Sequence, residues 1–95
     1  MSKIITNLKY WTYYNCVITV YNSHINSDVR YDGYISSASD TAVHLSEVRD
    51  VTSILSSKQM NGTYIFDYSV IKSAYVYRMI RDRENSLHRE ILFSC

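Results

Sequence analysis

The sequence predicts a mostly β fold: a small, strongly bent, five-stranded antiparallel barrel with a short N-terminal helix and a C-terminal helix. Three observations carry that expectation. Residues 29–35 alternate apolar or aromatic with polar side chains around Gly33, one of only two glycines in the chain. Glycine inside a strand is unfavourable by roughly 0.5–1 kcal/mol relative to alanine, so Gly33 reads as a structural bend, a bulge or a close backbone approach. Val43-His44-Leu45 follows at the short spacing of a next strand. Ten of the 95 residues are tyrosine, which suits half-buried strands and interfaces because it joins a large apolar body to a polar tip.

Taken in order, Thr6 or Asn7 caps a short helix running through residue 14, with Leu8 and Trp11 three residues apart on one face. Residues 16–21 alternate as a first strand, Cys16, Ile18 and Val20 pointing one way. A polar loop over 22–28 leads to the Gly33 strand, whose Val29, Tyr31 and Ile35 share a face. Residues 36–40 turn the chain into a third strand over 41–48, with Val43 and Leu45 inward. Residues 50–61 form a serine-rich excursion carrying Ile54 and Leu55. Gly62 opens a fourth strand over 63–68, where Tyr64, Phe66 and Tyr68 share a face. A very short connection over 70–72 gives a fifth strand over 73–80. From Asp82 onward, Leu87, Ile91 and Leu92 form an apolar stripe that reads as a helix. The chain divides into one domain over 1–82 and a helical tail over 83–95, with no internal repeat.

Composition narrows the function classes. Hydrophobic residues make up 46%, enough for one compact core. The net charge of +1 argues against many phosphate contacts. Two cysteines are too few for a disulfide scaffold, and neither a signal peptide nor an apolar run of membrane-spanning length is present, so reduced thiols and an intracellular location are expected. His24, His44 and His88 show no metal-ligand spacing, and Cys16 reads as a small buried hydrophobe. Residues 78–83 carry three arginines, but Asp82 and Glu84 beside them suggest a salt-bridged helix start rather than a phosphate patch. No phosphate loop, carboxylate pair or nucleophile motif points to an enzyme, and no cofactor is expected.

Tyr31, Gly33 and Ile35, followed by Val43 and Leu45, resemble the first motif of Sm-like (LSm) domains over roughly residues 7–80. Counted from Gly33, the family's RNA-contacting Asp and Asn fall at Ser39 and Ala42, and Val70-Ile71-Lys72-Ser73 stands where the family has Arg-Gly. Alanine can neither hydrogen-bond a base edge nor stack on it. The resemblance therefore implies an Sm-like fold without direct RNA binding. Among Sm-like families the chain is most similar to gemin six of the SMN complex, through Trp11-Thr12-Tyr13-Tyr14, Tyr31-Asp32-Gly33, the link from Val70 to Val76 and Arg89-Glu90-Ile91-Leu92-Phe93.

That resemblance implies a non-catalytic scaffold in cytoplasm and nucleus that pairs with the Sm-like gemin seven, with gemin eight and SMN as further contacts, and supports spliceosomal snRNP assembly and mRNA splicing. An LSm domain of Trailer-hitch type, acting in mRNA decapping and repression, is the alternative, on Val29 to Gly33 and Val43 to Arg49; an RNA-binding LSm ring subunit is another. For the scaffold, the expected partner-strand interface comprises Tyr64, Phe66, Tyr68, Tyr75 and Tyr77. With no proline to blunt them, the fourth and fifth strands should present open edges to a partner.

Overall fold

The computed structural model describes residues 4–53 and 55–95, so Ile54 of the serine-rich excursion lies outside the described residues. Seven strands form one antiparallel sheet: β1 (Asn15–Asn22), β2 (Ser27–Ala38), β3 (Ala42–Asp50), β4 (Lys58–Gln59), β5 (Tyr64–Asp67), β6 (Ile71–Arg81) and β7 (Leu87–Ser94). Their order is β4-β3-β2-β1-β6-β7, with β5 also paired to β3. The mostly β expectation holds. The sheet is not closed by hydrogen bonds among the described residues, and it has two more strands than the sequence suggested.

In β1, Cys16 and Ile18 are fully buried and pack with Ile35, Val43, Leu45, Val48 and Val76 in one core, with Val20 partly buried against it. Val17 on the opposite face is buried as well, so the strand is covered on both sides at its start. The N-terminal helix is present, but as a 3-10 helix over Ile5–Trp11 whose N-cap is Ile4, with no side-chain cap from Thr6 or Asn7. It buries Leu8 completely. Beyond it Tyr13, at φ +75°, turns the chain back onto β2. There Tyr13 N–H donates to Ile35 O (2.7 Å) and Ile35 N–H donates to Tyr14 O (2.9 Å).

Around Gly33 the β2–β3 register slips. Asp32 faces Arg49 and Tyr34 faces Ser46, two steps along β2 against three along β3. The extra β3 residue falls at Glu47, whose φ is +52°. A second slip follows between Ile35 and Ser37. Bulges of this kind bend a strand and sharpen its twist. The bending is large. Tyr31 pairs with Asp50, and Phe66 pairs with Val43 seven residues away on β3. In a straight strand that separation would be roughly 23 Å, yet the two rings meet with centroids 5.3 Å apart.

The expected helix over 83–95 is instead β7, which runs antiparallel to β6 from Tyr75↔Ser94 to Arg81↔Leu87. Two physical reasons decide this. Pairing satisfies the backbone groups of β6 and of the tail together, whereas a helix would satisfy only its own. The turn is also built for a hairpin. Asp82 accepts N–H donors from Glu84 (2.9 Å) and Ser86 (3.0 Å), and Asn85 adopts φ +66°. Aspartate and asparagine are the residue types that tolerate such turns. The connection between β5 and β6 is a single 3-10 turn, Tyr68–Val70.

Candidate strand-edge interface

The five aromatic residues singled out from the sequence do not form one surface. Tyr64 and Phe66 face inward from β5 and pack against the core. Tyr68 belongs to the 3-10 turn rather than to the fourth strand. It is 7% exposed, and its hydroxyl donates to Ser39 O at 3.0 Å. Tyr75 and Tyr77 sit on β6, separated from β5 in the sheet by β1, β2 and β3.

On β6 these two rings join a polar cluster that the sequence did not reveal. Tyr77 O–H donates to Asp32 Oδ1 at 2.6 Å. Arg89 of β7 donates to Asp32 Oδ2 (2.9 Å) and to the Tyr75 hydroxyl (2.8 Å). Its guanidinium lies over the Tyr77 ring, 4.1 Å from the centroid. Burial, reinforced by the hydrogen bond to Asp32, pushes the Tyr77 phenol above its ordinary range. Such a cluster fastens β7 to β6 and β2. Beside it lies a polar cleft of about 320 Å³ that includes Asn15, Asp32, Glu47 and Arg49 in its walls. Arg49 there is engaged by Ser57 (3.2 Å) and Gln59 (3.4 Å).

The edges differ from expectation in a way that matters for pairing. β6, expected to be open over 75–80, is flanked by β1 on one side up to Tyr77 and by β7 on the other. The outer margins of the sheet are β7 at one end and β4 with β5 at the other. β5 is a four-residue edge whose outward side chain Ile65 is 65% exposed. Sequence reasoning misses Ile65, because a side chain between two aromatic neighbours carries no signal of which face will be covered.

Burial pushes the Cys16 thiol up to about 12, so it is a core group rather than a nucleophile. Among the described residues no group of three His, Cys, Asp or Glu side chains could hold a metal, and no helix is long and apolar enough to cross a membrane. No protein-family model, curated protein or solved structure matches this chain.

Proposed function

We propose that the chain is a non-catalytic, Sm-like scaffold subunit that pairs by strand addition with a second Sm-like protein. The resemblance makes gemin seven of the SMN complex that partner, with snRNP assembly as the process served. The observation that carries this reading is the β5 edge, a short exposed strand whose rings point inward and whose Ile65 points out. The strand path β6-β1-β2-β3-β5, bent at Gly33 and linked by a one-turn 3-10 segment, supports the five-stranded Sm-like core within the larger sheet.

On this reading the partner binds through backbone groups of β5 and the exposed Ile65, not through Tyr68 or Tyr77, which are buried within the chain. Because β7 already covers β6, the chain pairs with one neighbour at β5 rather than closing a ring through both β5 and β6. The test is recovery of partners on the tagged full chain, followed by hydrogen exchange with and without the partner found. SMN-complex subunits together with new protection over residues 64–67 are expected. Decapping factors would favour the Trailer-hitch alternative, and protection confined to residues 50–61 would remove strand addition at β5.

A further inference from the structure

A different part of the sheet points to a second interaction surface. β1 ends its pairing at Asn15↔Tyr77, while β6 and β7 continue together to Arg81↔Leu87. Residues 78–90 therefore project past β1 as a two-stranded ribbon, in a molecule 43 Å along its longest axis against 30 and 29 Å across. The Ala74–Cys95 pair exchanges both backbone hydrogen bonds (3.1 and 2.9 Å), and beyond the register shift between Val76 and Tyr77 the Asp82 N–H donates to Ser86 O (3.1 Å). The even-numbered residues on both sides of that shift therefore direct their backbone groups toward β7. Met79 and Arg81 then direct theirs to the opposite side, where β1 is no longer present. An unsatisfied edge of this kind is a template for another strand.

The edge strand carries Met79 and Arg81, and Leu87 and Ile91 follow one strand further in, on β7. Leu87, Met79 and Ile91 run diagonally across one face, 54%, 47% and 52% exposed. The ribbon's acids are mostly engaged at home. Glu90 pairs with Arg78, and Asp82 holds the turn and lies 3.7 Å from His88. Arg81 donates only to Asn85, at 2.9 and 3.4 Å, and neither Arg81 nor Arg83 has a carboxylate partner among the described residues. Glu84 in the turn leaves the uncompensated charge positive.

We infer that this ribbon takes up an acidic, extended segment of another protein as an added strand along residues 78–81 of β6. Its backbone would complete the ladder at Met79 and Arg81. Alternate apolar side chains would cover Met79 and Leu87, and its carboxylates would meet Arg81 and Arg83. The free backbone edge favours a peptide strand over a lipid surface or a nucleic acid, because neither of those supplies alternating N–H and C=O groups. This surface lies at the opposite margin of the sheet from β5 and goes beyond the pairing proposed above.

The test uses the full chain and a capped synthetic peptide alternating glutamate and valine, followed by fluorescence anisotropy and by hydrogen exchange. Saturable binding is expected, with protection of the Met79 and Arg81 amides. Affinity should fall at least tenfold in an Arg81→Glu, Arg83→Glu double variant. It should fall similarly in Met79→Pro, which removes an N–H pointing away from β7 and so spares the ribbon's own ladder; circular dichroism checks that both variants fold. Equal binding of a lysine–valine peptide, unchanged affinity in Met79→Pro, or protection elsewhere in the sheet would overturn the inference. So would preferential binding of phosphatidylserine vesicles or of a short DNA duplex.

Discussion

Arg89 and Asp32 lie 57 residues apart in the chain, yet the Arg89 guanidinium donates to Asp32 Oδ2 at 2.9 Å while it covers the Tyr77 ring. This contact joins the last strand to the second across β1 and β6. A charge-assisted hydrogen bond contributes about 1.5–3 kcal/mol and an exposed cation–π contact about 0.5–1. The Arg89 side chain is 41% exposed, which places its net contribution toward the low end.

Arg89→Ala should therefore destabilise the protein by about 1–2 kcal/mol. The loss should be local before it is global: amides over residues 87–94 should exchange faster than those of β1 and β2. Arg89→Lys should recover little, since a single ammonium cannot bridge Asp32, the Tyr75 hydroxyl and the Tyr77 ring together. Uniform loss of protection across the whole sheet would show that β7 is not a separate unit.

Gly33 tests close approach rather than backbone strain. A Cβ there would stand 3.2 Å from Leu45 Cβ, 3.3 Å from Leu45 Cδ1 and 3.4 Å from Ser46 O. Gly33→Val should cost about 1–3 kcal/mol through overpacking. For a domain of this size each kcal/mol corresponds to a Tm shift of roughly 4–8 °C. A Gly33→Val protein melting within about a degree of the parent would mean that Leu45 moves aside freely.

Glu47, across the bulge from Gly33, makes the opposite prediction. Its side chain is exposed and its φ is +52°, a conformation that glycine adopts without penalty. Glu47→Gly should leave stability unchanged or raise it by up to about 1 kcal/mol. Glu47→Val should lower it by a similar amount, because a branched Cβ fits this region worst. Denaturant midpoints should place Glu47→Gly at or above the parent and Glu47→Val below it.

Stability should fall on the alkaline side. Burial raises the Cys16 thiol from 9.0 to about 12, so below pH 9 the group is protonated in both folded and unfolded chains and changes nothing. Between those values only the unfolded chain releases the proton, and stability declines as pH rises. Tyr77, raised by burial and by its hydrogen bond to Asp32, adds a further decline above pH 10, and Tyr31 and Tyr68, raised by burial, act in the same direction. Denaturation at successive pH values checks this: Cys16→Ala should be less stable at pH 7 but show a shallower slope between pH 9 and 10. At pH 8 a thiol reagent should modify Cys95, which is partly exposed, well before Cys16.

Local side-chain pattern is enough to mark the core-facing residues of the central strands. Cys16 and Ile18 of β1, Ile35 of β2, and Val43 and Leu45 of β3 were all legible, because a two-residue period on a half-buried strand is local information. Gly33 was legible as an irregular position, since glycine is rare here; that the extra residue belongs to β3 at Glu47 depends on the partner strand. Residues 87–94 show the limit. Leu87, Ile91 and Leu92 suit a helix by spacing, and Asp82 and Asn85 suit a hairpin, so local preference alone was divided. The β6 backbone settled it, by offering the tail a ladder that a helix would leave unfilled. The same holds for the aromatics: tyrosine content signalled strands, but only the tertiary structure buried Tyr68 and Tyr77 and left Ile65 exposed. A face is inside or outside according to what the rest of the chain lays over it, and residue type does not carry that information.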